Sequence, residues 1–246
     1  MLKLYCVLAI LPIVVFSNSA LASMEERAVM ERHATAKVTK DIGVPFVPAD
    51  HHKGRSCADG RNAANFKGDV LEFWGNMECQ YCGIREVVKA QREHPEWCIV
   101  IRHRPDNAYG ESMKKALAYE ALRHFSVTAA NSFWDAVVPK TDMLPPPYAG
   151  SLLRITAEAA IPTDALAGVL EGEAVSRVQQ DMEQGQDIHS TPTFVLDGIR
   201  FPACDFSAEQ LITAVKFAKE ARKGDIDAQK EIIQIITRGL MNEVLL

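Results

Sequence analysis

Two cysteines separated by two residues, Cys79-Gln80-Tyr81-Cys82, are the side chains best placed to do chemistry. At i and i+3 on a helical turn their sulfurs face the same way, so they can close a small disulfide ring and reopen it with little backbone movement. Val70-Leu71-Glu72-Phe73-Trp74 just ahead reads as a short apolar strand, and the residues onward to about Glu93 as a helix that the cysteines open. A helix N-terminus offers unpaired N–H groups and the positive end of the dipole, which favour a thiolate on Cys79. Thiolate is the form that attacks disulfides. Competing chemistries fit less well. Half a zinc site needs a second ligand pair, and Cys57 with His51-His52 does not repeat the spacing. A c-type haem site needs His after Cys82, where Gly83 stands. No cofactor and no metal is expected.

The elements that must position this pair are legible around it. Trp97-Cys98-Ile99-Val100-Ile101 is a continuous apolar run of strand length, the pattern of a strand buried on both faces. Strand, helix and strand then form a right-handed βαβ unit. Residues 111–186 read as helical: Glu111–Phe125, Asn131–Val138, Ser151–Ala160 beyond the breaker Pro145-Pro146-Pro147, a short helix capped by Thr163, and Glu173–Gln184. A helical block of this length between strands is an inserted subdomain. Next, Thr191-Pro192-Thr193-Phe194-Val195-Leu196 and Ile199-Arg200-Phe201 flank Asp197-Gly198, a hairpin signal. Ser207-Ala208-Glu209-Gln210 has capping-box spacing and opens a helix that Gly224 stops. A last helix, from Asp227 to about Leu240, carries Ile232, Ile233, Ile236 and Leu240 in a stripe, and is expected to fold back on the protein's own body.

The N-terminus places the chain in a compartment. Lys3, the apolar run Leu4–Phe16 and then Ala20-Leu21-Ala22 read as a secretory signal, residues 1–22, cut after Ala22. The run is short for a bilayer and no later segment approaches spanning length, so a soluble exported protein is expected, periplasmic or otherwise. The formal charge of −5 becomes more negative without Lys3, which argues against a nucleic-acid partner. Cys6 leaves with the leader, and Cys57, Cys79, Cys82, Cys98 and Cys204 remain. An exported compartment permits disulfides, and an odd count leaves one thiol over. One structural bond is expected among Cys57, Cys98 and Cys204. Cys57–Cys98 leads, with Cys98 on a central strand and Cys57 at the sheet edge; Cys57–Cys204 is the alternative, and a free Cys98 stays open. Residues 24–41 form a charged helix stopped by Gly43 and Pro45. It is either peripheral or an oligomerisation arm, through the thin stripe Ala28, Val29, Ala34 and Val38. Residues 44–69 read as an irregular connection with an edge strand near Phe66.

This order of elements resembles the thioredoxin fold, and specifically the DsbA-like exported thiol–disulfide oxidoreductases, over about residues 66–222. The motifs that carry the resemblance are Glu72-Phe73-Trp74, Cys79-Gln80-Tyr81-Cys82, Arg104-Pro105 and Thr191-Pro192-Thr193-Phe194. It implies an α/β thioredoxin fold with a helical insertion at about 111–186. An N-terminal helix and connection (23–65) and a C-terminal helix (223–246) are added to it. It implies Cys79 as nucleophile and Cys82 as resolving cysteine. Pro192 would be the family's cis-proline, with Thr191 before it presenting backbone groups to a substrate strand; the alternative is a trans proline starting an edge strand. Glu72 would be a buried acid beneath Cys82 that accepts its proton. The implied partners are cysteine-containing secreted proteins and a membrane redox partner, and a homo-oligomer as in isomerase-type relatives is left open. The chain departs from the pattern in three places. The loop from Glu72 to Cys79 is one residue longer, Gln80 replaces the usual proline, and Glu78 stands where it would oppose a thiolate on Cys79. A less stabilised thiolate makes a weaker oxidant. Whether disulfides are formed, isomerised or reduced stays open, and a non-catalytic assembly factor on the same scaffold is the alternative class.

Overall fold

The computed structural model of the chain describes residues 11–43, 52–106, 110–140 and 147–244. The basic start of the expected leader, Pro45, Pro48 and His51, and Pro145-Pro146 lie outside the described residues.

The apolar runs on either side of the cysteines become the centre of the sheet. Strand β1 (Asp69–Gly75) pairs in parallel with β2 (Trp97–His103), Phe73 opposite Ile101, and helix α2 (Arg85–Glu93) makes the crossover. Every residue of β2 is buried, as an apolar run covered on both faces should be. Helices α3 (Glu111–Phe125), α4 (Val127–Val137), α5 (Tyr148–Glu158), α6 (Thr163–Glu171) and α7 (Glu173–Gln184) form the insertion. The expected second helix starts four residues earlier than its apolar residues suggest, because the Ser126 side chain caps it by accepting from the Ala129 N–H. Strand β3 (Thr193–Leu196) returns antiparallel to β1, and β4 (Ile199–Pro202) antiparallel to β3, giving the order β2-β1-β3-β4 among the described residues. Asp197 and Gly198 turn the hairpin at φ 49° and 79°. This is the left-handed pair such two-residue turns need. Ser207 and Gln210 close the expected capping box on α8 (Ala208–Arg222).

The edge of the sheet beside β2 corrects the sequence reading. Instead of a strand near Phe66, Cys57 makes an isolated antiparallel bridge to Val100, and the Ala58 N–H donates to the Ile99 carbonyl at 2.8 Å. Cys57 and Cys98 are joined by a disulfide, their Cα atoms 4.9 Å apart, while Cys204 is a buried free thiol.

The two terminal helices share the other side. Helix α9 (Ile226–Val244) buries Ala228, Ile232 and Ile236 and packs against α8, β4 and helix α1 (Leu11–Gly43). The expected helix over 24–41 lies within α1, which continues through the expected cleavage point. Of its thin stripe, Ala34 and Val38 are buried in the body, whereas Val29 is exposed. Asp41 accepts the Arg200 N–H of β4 at 3.0 Å, which occupies a backbone group on the edge strand.

Between β2, α3, α7 and the segment 52–57 lies a buried charge network. Asp181 accepts from Arg55 at 2.6 Å, from Arg102 at 2.9 Å and from the His103 N–H at 3.0 Å. Glu120 is paired with His103 at 2.9 Å and with Arg123 at 3.1 Å. Burial alone would raise the Glu120 carboxyl, but Arg123, His103 and Arg55 together hold it well below the usual range. Charged residues are buried here because each faces an opposite charge.

Candidate functional site

The site is built on the end of β1. Gly75 closes that strand against Trp134 of the insertion, and a Cβ there would come within 2.8 Å of the indole ring. Asn76 follows, buried, and organises the loop with all its groups. Its side-chain Nδ2 donates to Asp106 at 2.5 Å and its Oδ1 accepts from the Glu78 N–H at 2.9 Å. Its carbonyl accepts from the Cys79 N–H at 3.0 Å, and its own N–H points to the Cys82 sulfur at 3.5 Å. One residue therefore sets both cysteines.

The cysteines precede the helix rather than opening it. Cys79 and Cys82 sit on successive turns, with the Cys82 N–H bonded to the Cys79 carbonyl at 3.0 Å, and α2 begins only at Arg85. The carbonyl of Cys82, which a continuous helix would give to residue 86, accepts instead from the Trp134 indole N–H at 2.6 Å. The sequence reading that placed Cys79 at the helix N-terminus is corrected accordingly, and so is its electrostatic cause. The Cys79 thiol is brought from 9.0 to about 7 chiefly by its hydrogen bond with Cys82, against the opposing effect of burial, with help from the Tyr81 N–H, the Thr191 side chain and the Cys82 N–H. Cys82 is fully buried, and burial first, then Cys79, push its thiol well above the ordinary range.

Thr191 and Pro192 are brought to the same place. The Thr191–Pro192 peptide is cis, and the Cys79 thiol donates to the Thr191 carbonyl at 3.3 Å. The Thr193 hydroxyl ties the loop back to the Ser190 carbonyl at 2.7 Å. An open groove of about 1030 Å³ starts at Tyr81 and this loop and runs between α8 and α9 past Phe206, Phe217 and Ile235.

Glu72 lies on the β1 face that carries Trp74, and its carboxylate accepts from Trp74 Nε1 at 2.9 Å and from Arg102 at 3.1 Å. These contacts tie the expected proton acceptor into the charge network. His103, Glu120 and Asp181 bring ligand-type atoms within 4.8 Å of one another. Their carboxylates are engaged by Arg55, Arg102 and Arg123, which serves a structural network rather than a cation site.

Sequence reasoning passed over Asn76, Trp134 and Lys115, whose Nζ lies 2.5 Å from Glu78 Oε1. Asn76 carried a readable signal, an Asx residue directly after a strand and at the start of a turn. Trp134 and Lys115 reach the site from a separate subdomain, which no local pattern announces.

No protein-family model and no curated protein matches the chain. Solved structures do. A thioredoxin-like oxidoreductase from Silicibacter pomeroyi is 26% identical, with a TM-score of 0.51 over 63% of this chain and 88% of that one. ScsC from Proteus mirabilis in a transitional conformation is 18% identical, with a TM-score of 0.51 over 83% and 88%. The thiol-disulfide exchange protein alpha-DsbA2 from Wolbachia pipientis is 15% identical, with a TM-score of 0.52 over 78% and 97%. With the strand order, the crossover helix behind the cysteine turn and the inserted helices all in place, the chain has a thioredoxin-like fold with a helical insertion, similar to that of these thiol-disulfide exchange proteins.

Proposed function

We propose that the protein is an exported thiol–disulfide oxidoreductase that exchanges disulfides with cysteine-containing proteins through Cys79 and Cys82. One observation carries this reading: a part-exposed thiol brought to about 7 stands beside a buried partner thiol and the Thr191 backbone carbonyl, to which it donates. In the reducing direction the Cys79 thiolate attacks one sulfur of a substrate disulfide, that S–S bond breaks, and the other substrate sulfur leaves as thiolate. Cys82, losing its proton to solvent or to the leaving thiolate, then attacks Cys79 Sγ. The mixed disulfide breaks, and two electrons have passed to the substrate as Cys79–Cys82 closes. Oxidation is the same path reversed, with a membrane redox partner to reload the pair. Thr191 and Pro192 form the rim on which an extended substrate segment pairs, and the groove beyond takes its apolar side chains.

Residues 1–22 act as a cleaved leader on this reading, leaving the connection to 65, a catalytic domain over 66–222 and the C-terminal helix. The Cys57–Cys98 disulfide supports an oxidising compartment. Sequencing the N-terminus of secreted protein is expected to begin at Ser23. Insulin reduction and refolding of reduced ribonuclease, run side by side on the mature protein, test the activity. Turnover in one or both is expected, its balance giving the direction, and turnover in neither would overturn the reading.

A further inference from the structure

Glu78 adjoins Cys79 in the chain, and as an unpaired carboxylate it would oppose a thiolate there. A counter-charge arrives from another element. Lys115, in the second turn of α3, places Nζ 2.5 Å from Glu78 Oε1 and 3.1 Å from the Val137 carbonyl at the end of α4. The lysine side chain is only 4% exposed and that of Glu78 37%, so the ammonium is the fixed member and the carboxylate the one being held. A buried ammonium persists only when its N–H groups find acceptors, and these two contacts supply them. The glutamate's backbone is fixed as well, its N–H on Asn76 Oδ1 and Asn76 in turn on Asp106. Its charge therefore has a set position and a set partner.

We propose that Lys115 is a positioning residue for exchange at Cys79. By holding and neutralising the Glu78 carboxylate, it keeps a negative charge from opposing the neighbouring thiolate, and so sets how readily the pair is reduced. Among the described residues, the titratable and charged groups tied to this turn include Tyr81 and Cys82 within it, Glu78 and Asp106 through Asn76, and Lys115 from α3. A closed ion pair presents almost no net charge to Cys79, whereas either member alone presents a full one. No contact runs from Lys115 to sulfur; it acts through Glu78.

The consequence for redox poise rests on the proposed function, but the thiolate titration itself does not, because it reads Cys79 whether or not the protein turns over a substrate. The experiment is the ultraviolet absorbance of the thiolate against pH in the reduced full-length protein and in K115M, K115R, E78Q and E78Q/K115M. K115M is expected to raise the Cys79 transition by about one pH unit. E78Q should lower it, since the carboxylate is gone and the Lys115 charge is no longer neutralised by it. E78Q/K115M should return it close to wild type, and K115R should hold it there. Wild-type titration in both K115M and E78Q would overturn the proposal, as would a double variant that stays shifted like K115M. If K115M does not fold, E78Q decides alone, and an unchanged or raised transition contradicts us. Loss of insulin and ribonuclease turnover in the wild type would sink the proposed function and leave this titration readable.

Discussion

At the scale of residues, the two sulfurs differ because one turn of backbone treats them differently. Cys79 collects the Cys82 thiol and the N–H groups of Tyr81 and Cys82 and keeps a face to solvent; Cys82 is sealed beneath the loop with Trp134 on its carbonyl. Alkylation at limiting reagent should therefore label Cys79 first, at a rate that rises as pH passes through about 7. Peptide maps showing Cys82 labelled first would contradict the assignment. The same shift has a stability consequence. Between about 7 and 9 the folded Cys79 has lost its proton while the unfolded thiol keeps it, so the reduced protein gains stability as pH rises through that window. Below about 7 the gain is absent. The raised Cys82 thiol works the other way only above its ordinary value. Melting temperatures of the reduced protein, with C79S as control, should rise from pH 7 to 9 in the wild type more than in the variant; equal slopes would contradict this.

At the scale of elements, what the sequence disclosed and what it withheld divide along physical lines. Strand β2 was legible because burial on both faces demands an unbroken apolar run, and β1 as a short, mostly apolar stretch just ahead of the cysteines. The Asp197-Gly198 hairpin and the Ser207 capping box were legible because each needs particular side chains at fixed spacing. The start of α2 was not, because it depends on Trp134 taking the Cys82 carbonyl from a distant helix. Nor were the contacts of Glu72, since Arg102, the residue that claims its carboxylate, sits at the charged end of a strand whose apolar run stops at Ile101. Helix α9 offers a test at this scale. Its buried Ile232 and Ile236 each contribute about 1.5–3 kcal/mol against α8, α1 and β4. Ending the chain at Lys223 is expected to lower the melting temperature or solubility while exchange with a small disulfide stays intact. A truncated protein that melts like the full chain and only changes from dimer to monomer would make α9 an interface instead.

At the scale of the molecule, two devices hold the sheet to what surrounds it. The Cys57–Cys98 disulfide closes a separation of 41 residues, and chain-entropy arguments make such a link worth about 4 kcal/mol. C57S/C98S should lose stability of that order in denaturant titrations while Cys79 keeps its reactivity. The second device is the buried network around Asp181, which ties α7 to β2 and to Arg55. D181N removes the carboxylate shared by Arg55 and Arg102, leaving them only Glu120 and Glu72 among the ion pairs described, and is expected to cost about 3–5 kcal/mol. A loss below about 1 kcal/mol would show that water or other partners replace the carboxylate. Both devices leave the cysteine turn at the free end of β1, where a substrate can reach it. In the proposed mechanism exchange starts at Cys79 and is resolved by Cys82, and the most direct measurement is a trap. C82S, incubated with an oxidised cysteine-containing protein, should accumulate a covalent complex that reductant dissolves and that mass mapping assigns to Cys79. No such complex, or one mapped to Cys204, would contradict the account.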